Sequence, residues 1–387
     1  MKNLDYLPWL QLIHKKNRLV ISIIGVAFSV ALMFLTTGLR DGLFEDSVTI
    51  HKTLQADLVL LVDDVESFWE SRGKPFPLRL LYSIKSINGI TSVSPFYLSV
   101  GSFKNPNQLT KKFIYIYSFN PQKPVFNLPE VNQQISIIQK NDFFLFDRFS
   151  RKEFGDIVSH FATEGTVTTQ LSDRRIKIGG FFSIGGGVFS ADGSLITSDL
   201  TYAKIFNQSL SKVHLGLINL EDNIDQSKVI EKISNKLPEG IKVITKDDFM
   251  AGEKAYWRQA TPIGFIFNIL GFVGLIFGAI IVYQIIFTQI YDYLFVYATF
   301  KAIGYRNLYL AWIVIQEGWL MSVMGYVPGL IIAWGSYGWI KDATRLPMEM
   351  TVSRLLIVFM QTLIMCSLGS LIAIKNLREA DPADLFN

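Results

Sequence analysis

Chemistry is what this chain has least of. Its single cysteine, Cys366, lies inside an apolar run, so no disulfide framework can form within the chain, and cysteine usage says nothing of compartment. The histidines His14, His51, His160 and His214 are scattered, with no metal-ligand spacing, so no metal is expected. No G-x-S-x-G elbow occurs, and no G-x-x-x-x-G-K-[ST] phosphate loop. The glycine-rich stretch GGFFSIGGGVFSADG (Gly179–Gly193) contains neither Lys nor Arg and reads as a turn-rich hairpin region, with Asp192-Gly193 as a tight turn. Asp and Glu residues fall into no paired motif and read as solvated surface groups. Charged residues are only 18% of the chain, the net charge is +4, and no Lys/Arg tract stands out, so nucleic-acid binding has no support. These absences argue against an enzyme. No cofactor is expected on this chain, and any ATP-driven task would need a second chain to bind ATP and Mg.

What the chain has instead is apolar length. Half of its 387 residues are hydrophobic and the mean hydropathy is +0.30, which suits a membrane part joined to one sizeable soluble part. Uncharged apolar runs cover Leu19–Leu39, Ile263–Ile286, Gly318–Ile340 and Leu355–Ile374. Each approaches the roughly 20 helical residues that cross a bilayer. The first run is too long for the core of a signal peptide, and no small-x-small cleavage pattern follows Leu39, so it reads as a retained helix. The expected fold class is a membrane α-helical protein with four transmembrane helices and a large α/β (α+β) extracytoplasmic domain inserted between helices 1 and 2.

Lys15, Lys16 and Arg18 precede the first run, so the positive-inside rule puts the N-terminus in the cytoplasm. The expected layout is a cytoplasmic interfacial helix over 1–18, helix 1 over 19–41, and a periplasmic domain over 42–258 with stalk helices at both ends. Helix 2 follows over 261–290, a cytoplasmic coupling loop over 291–307, helix 3 over 308–340, an outer loop over 341–354, helix 4 over 355–374, and a cytoplasmic tail over 375–387. Tyr6, Trp9, Leu10 and Ile13 form an apolar stripe that suits this interfacial helix, and equally a simple extension of helix 1. Within the domain, Leu58–Val62 and Ile241–Ile244 read as strands, Ser227–Leu237 as a helix, and Gly89 as a turn. The segment 245–262 reads as a stalk helix running straight into helix 2, paired with an extension of helix 1 through Arg40–Ile50.

Small residues recur four apart in the spans, at Gly25/Ser29, Ala27/Ala31, Gly274/Gly278, Gly325/Gly329 and Gly369/Ala373. Such spacing lets helix backbones approach closely in lipid, so these glycines are candidate helix-packing positions. Four spans are few for a complete translocation pathway, which makes a homodimer the economical expectation. Between helices 2 and 3, Tyr297–Ile303 suits a short helix, with Gly304 in the left-handed position after it and Asn307 capping the next. Glu317 stands at the start of an uncharged run, where an ionisable group is costly unless paired or turned toward other helices.

These residues together resemble the MacB/FtsX/LolC-type ABC transporter permeases. The stretch YATFKAIGY (Tyr297–Tyr305), with Glu317 downstream, looks like that family's coupling motif. Within the family the chain is most similar to the cyanobacterial DevC-type permeases of heterocyst exporters. That similarity rests on LPWLQLIHKKNRL (Leu7–Leu19), GLRDGLF (Gly38–Phe44), EKAYWRQATPIGFIF (Glu253–Phe267), IVYQI (Ile281–Ile285), LREADPADLF (Leu377–Phe386) and, in the inserted domain, ADGSLITSD (Ala191–Asp199). The family usually has Glu just before the YAT segment, where this chain has Val296. The resemblance implies a mechanotransmission permease in the bacterial inner membrane. A separate ABC ATPase subunit, DevA- or MacB-ATPase-like, would bind below Tyr297, Thr299, Lys301, Ala302, Gly304 and Tyr305, with Glu317 supporting the element. It further implies an HlyD-like (DevB-like) membrane fusion protein, a TolC-like outer-membrane channel, contact with membrane lipid, and a glycolipid or other amphiphile as cargo. The same architecture also serves FtsX-like permeases that signal to a periplasmic hydrolase and LolC/LolE-type permeases that release lipoproteins. A stand-alone membrane receptor is the reading without an ATPase.

Overall fold

The structure, a computed structural model, describes residues 16–185, 193–293, 295, 299 and 303–379. It divides into two units. One comprises Met1–Gly42, Ile263–Ala343 and Met348–Asn387, and the other Leu43–Pro262 and Thr344–Pro347.

The first unit is built from helices Lys16–Asp46, Pro262–Asp292, Asn307–Thr344 and Val352–Glu379, here spans 1 to 4. Each contains a stretch long and apolar enough to cross a membrane. Bulky apolar side chains such as Phe28, Phe265, Phe272, Ile331 and Leu356 stay more than half exposed, as lipid-facing groups do. Polar side chains in the spans fold back onto the helix. Ser29 donates to Gly25 O (3.2 Å), Thr36 to Leu32 O (3.0 Å), Thr362 to Val358 O (2.7 Å) and Ser370 to Cys366 O (2.8 Å). That leaves no hydroxyl donor of these four unmet where water is absent. Span 1 continues as helix to Asp46, and span 3 carries Pro328 in its interior.

The second unit is a mixed α/β fold. Its strands are β1 Leu58–Val62, β2 Phe76–Pro77, β3 Ile90–Lys104, β4 Lys111–Phe119, β5 Phe143–Asp147, β6 Val167–Leu171, β7 Arg174–Phe182, β8 Ser194–Ser198, β9 Lys212–Val213, β10 Leu215–Leu220 and β11 Ile241–Thr245. Nine of them form one sheet in the order β11-β1-β10-β3-β4-β8-β5-β7-β6, and β6 pairs back to β3. That last pairing, Phe103 to Leu171 and Lys104 to Gln170, closes β3, β4, β8, β5, β7 and β6 into a six-stranded ring. The 15-residue β3 is long enough to serve both halves: its start pairs with β10 and its whole later length with β4. The ring's interior is filled by Phe103, Ile114, Ile116, Phe144, Leu195 and their neighbours.

The open half, β11-β1-β10-β3, is buried on both faces. Val59 and Leu61 of β1 point into one core with Phe96 and Leu217, while Leu58 and Leu60 point into another with Val93 and Ile218. Burial on both faces explains why LVLLV reads as an unbroken apolar run. The helix Gln226–Ser234 and Gly89, with φ +98°, lie where the residue pattern puts a helix and a turn. Asp192 of the expected tight turn and the interfacial stripe from Tyr6 to Ile13 lie outside the described residues. The stalk expectation changes in one respect. Helix Lys246–Ala255 passes into a π-helical turn, Tyr256–Ala260, and Thr261 is extended (φ −114°, ψ 155°) before span 2 begins at Pro262. The segment is therefore jointed. Pro262 accounts for the break, because proline disfavours helical backbone at the residue before it.

Candidate functional site

Gly25, Gly274, Gly278, Gly325, Gly329 and Gly369 sit where helices touch. A Cβ at Gly25 would lie 2.6 Å from Ile281 Cγ2, and one at Gly274 3.2 Å from Leu32 Cδ2. At Gly278 it would lie 2.0 Å from Met365 Sδ, at Gly325 2.5 Å from Val26 Cβ, and at Gly329 2.7 Å from Ala27 O. At Gly369 it would meet backbone, Ala279 O at 2.9 Å and Tyr283 N at 3.0 Å. The same unit is tied polarly at one end. Arg354 donates to Asp41 (2.9 Å) and the Tyr337 hydroxyl to Phe34 O (2.5 Å).

The connection between spans 2 and 3 is described in part. Tyr297, Lys301 and Ala302 lie outside the described residues. Thr299 donates its hydroxyl to Phe295 O (2.8 Å), and Ile303 N–H donates to Thr299 O (3.1 Å), two links of helical spacing. Gly304 follows with φ +102° and open space where a Cβ would be, so its requirement is conformational. Tyr305 stacks on Tyr309 at 4.9 Å. Phe295 (79%) and Ile303 (70%) are exposed on this connection, as are Tyr291 (67%) and Leu308 (78%) at the helix ends that flank it. Glu317 is fully buried in span 3, and neither carboxylate oxygen has a hydrogen-bond partner among the described residues.

Two features of the second unit were not visible in the residue pattern. In the first, helix Thr49–Thr53 and helix Lys246–Ala255 are locked together. Thr245 caps the latter, accepting from Asp248 N–H (3.0 Å). Lys246 Nζ donates to Leu54 O (2.6 Å) and Lys52 O (3.2 Å), neutralising carbonyls at the end of the former. Glu45 bridges Lys254 (2.5 Å) and Lys52. Beneath these, Glu253 accepts from Phe68 N–H (2.6 Å) and Trp257 Nε1–H (2.8 Å), and its carboxylate lies 3.8 Å from His51 Nε2. The His51 ring packs on Phe249 (4.6 Å) and Phe68 (5.0 Å). Burial pushes the Glu253 carboxyl up to about 7, against the pull of its two hydrogen bonds. Burial, with nearby Lys246, pushes His51 down to about 3. A cleft of about 380 Å³ beside this joint is lined by Leu61, Lys242, Phe249, Glu253, Tyr256 and Gln259, among others.

The second feature is Arg345, in the connection between spans 3 and 4, which belongs to the α/β unit. Its backbone is left-handed (φ +59°), its guanidinium donates to Phe149 O (2.9 Å), and it lies 4.7 Å from the Phe149 ring centroid. It also faces Asp147, whose carboxyl burial raises to about 6 while Phe149 N–H, Ser194 and Arg345 pull it down.

Residues 268–382, which hold most of spans 2 to 4, match the family described as FtsX-like permease C-terminal. No curated protein matches the chain. Among solved structures, the periplasmic region of MacB from Actinobacillus actinomycetemcomitans aligns over 52% of this chain and 94% of its own, at 14% identity and TM-score 0.36. The extracellular domain of the noncanonic ABC-type transporter YknZ from Gram-positive bacteria aligns over 49% and 98%, at 12% identity and TM-score 0.32. A domain of a permease protein from Porphyromonas gingivalis aligns over 43% and 75%, at 14% identity and TM-score 0.27.

Proposed function

We propose that this chain is the permease subunit of an ABC transporter of MacB/FtsX type. The match of residues 268–382 to FtsX-like permease C-terminal domains carries the reading. Four spans around an inserted α/β domain agree with it. On this reading ATP and Mg would be bound by an ATPase partner, since these 387 residues hold no phosphate loop. The exposed apolar groups between spans 2 and 3 are the kind of surface that takes a partner, and they fit docking of that ATPase. Finer points of the reading come from the resemblance to DevC-type permeases. They are an inner-membrane homodimer with cytoplasmic termini, an HlyD-like adaptor, a TolC-like channel, and an amphiphilic cargo such as a glycolipid.

The work of such a permease is mechanical. ATP-driven closure of the ATPase would move the spans, and the joints where the chain enters the α/β unit would pass that motion on. The interlocked helices Thr49–Thr53 and Lys246–Ala255 suit this task, since a buried, hydrogen-bonded contact transmits displacement better than loops do. The test is purification in mild detergent with mass spectrometry of what accompanies the chain, followed by ATPase assays in nanodiscs. A phosphate-loop ATPase should co-purify. Gly304→Pro, which cannot adopt φ +102°, should uncouple its hydrolysis without unfolding the permease. Absence of any such ATPase overturns the reading. Recovery of a hydrolase with no adaptor would move it to the FtsX-like signalling type.

A further inference from the structure

The hairpin joining β3 to β4 is exposed throughout 107–113, yet it is rigidly built. At its base the buried Asn105 accepts from Asn107 N–H (2.8 Å) and Gln108 N–H (3.2 Å) and donates to Glu153 O (2.9 Å). Its backbone N–H donates to Thr110 O (2.8 Å), and Leu109 N–H donates to Asn105 O (2.9 Å). This network holds Leu109 at φ +57°, a left-handed conformation that a branched side chain seldom takes. The strain gains nothing inside the chain, because the Leu109 side chain is 64% exposed and that of Phe113 is 77% exposed. Strained residues that persist because their surroundings hold them are a mark of contact or switching sites.

The surroundings are cationic. Lys111 pairs with Asp173 (2.6 Å) and Lys112 with Glu153. Lys104 and the exposed Arg174 and Arg175 add three further cations, so five positive groups face two carboxylates. The β6–β7 turn brings the arginines alongside, because Lys104 pairs with Gln170 and Ser172 N–H donates to Ser102 O (2.8 Å).

We infer that this hairpin tip is a docking surface for a folded protein whose surface carries carboxylates around an apolar hollow, with Leu109 and Phe113 filling the hollow and the cations meeting the rim. A preformed, strained loop lowers the cost of ordering on binding and suits a partner of fixed shape. An anionic lipid surface fits less well, since Asp173 and Glu153 stand among the cations and would face the headgroups. A two-fold contact between copies of this chain would bring the same cationic tips together. The inference stands whether or not the chain serves an ABC transporter.

The test is a photoreactive amino acid placed at Leu109, at Phe113 and, as a control, at the exposed Val158 of helix Ile157–Glu164, in the full chain in its native membrane. Both tip positions should cross-link one and the same other protein, through a peptide rich in Asp or Glu, and Val158 should not. The yield should fall about five-fold with Arg174→Glu/Arg175→Glu and with added salt, as rim electrostatics require. Unchanged thermal unfolding of that variant shows that the fold is intact. Cross-links to lipid alone, to another copy of this chain alone, or at no more than the Val158 level overturn the inference. So does a cross-link indifferent to the charge reversal.

Discussion

His51 Nε2 and the Glu253 carboxylate lie 3.8 Å apart, both side chains almost wholly withdrawn from solvent, and at neutral pH they are not an ion pair. Burial favours the neutral form of each, and the opposite shifts have opposite consequences for stability. Glu253 holds its proton more tightly folded than unfolded. Its contribution is complete below about pH 4.5 and is lost as pH rises through 7. His51 holds its proton less tightly folded, so its contribution is complete above about pH 6.5 and is lost as pH falls toward 3. Between 4.5 and 6.5 the slopes oppose, so this pair together should add little to the pH dependence of the wild-type protein. His51→Leu should expose the Glu253 slope, a loss of about 3 kcal/mol as pH rises. Glu253→Gln should expose the reverse slope as pH falls. Denaturant midpoints across the pH range check this, and two flat variants would sink it.

Within the α/β unit, Arg345 donates to Phe149 O and lies over the Phe149 ring. Arg345→Ala removes the hydrogen bond and the ring contact and leaves a non-glycine residue at φ +59°. It should cost about 1 to 2 kcal/mol. Arg345→Gly loses the same contacts but relaxes the backbone, so it should be the milder of the two. Both should raise the Asp147 carboxyl above its value of about 6, since a positive neighbour has gone. Carboxyl-labelled NMR titration of Asp147, with thermal unfolding, measures both effects. An unmoved Asp147 would mean the guanidinium is not held against it.

How far these sites were legible in the sequence follows from the range of the interactions. The spans and LVLLV announce themselves because an apolar run is a local property, and Gly89 and Gly304 do so because a left-handed backbone is. The His51–Glu253 contact joins residues 202 positions apart by the numbering, and no spacing rule encodes it. The closure of the ring by two residue pairs between β3 and β6 is equally non-local. Arg345 reads as an ordinary loop cation, and only its left-handed backbone and the Phe149 carbonyl distinguish it. The break at Thr261 did carry a signal, Pro262, but proline is also tolerated in the first turn of a helix, so the residue alone does not separate a broken stalk from a continuous one.

The span glycines should differ in sensitivity according to what they meet. At Gly369 an added methyl meets the backbone of Ala279 and Tyr283, which cannot move without moving span 2. At Gly274 it meets the end of the Leu32 side chain at 3.2 Å, which can turn aside. At Gly335 it meets nothing. Gly369→Ala should therefore destabilise by about 1 to 3 kcal/mol, Gly274→Ala by less than about 1, and Gly335→Ala hardly at all. Unfolding midpoints in one detergent would rank the three. Equal effects would show that general helix propensity, and not close packing, governs these positions.

Glu317 offers the last and most discriminating substitution. Its carboxylate is fully buried in span 3 with no hydrogen-bond partner among the described residues. An ionised group at the centre of a span costs on the order of 3 kcal/mol on insertion scales, and even a neutral carboxyl buried without a partner is unfavourable, so stability alone does not account for this side chain. Glu317→Gln keeps the shape and removes the capacity for charge. It should leave the unfolding midpoint unchanged or raise it by about 1 kcal/mol equivalent, because no partner among the described residues is lost. Glu317→Ala should lower the midpoint through the cavity it leaves, by about 2 kcal/mol. If the carboxyl serves coupling, Glu317→Gln should lower ATPase stimulation in nanodiscs while stability holds or improves. A Gln variant that is both less stable and normally coupled would show that Glu317 is a structural residue with a partner in the assembled complex.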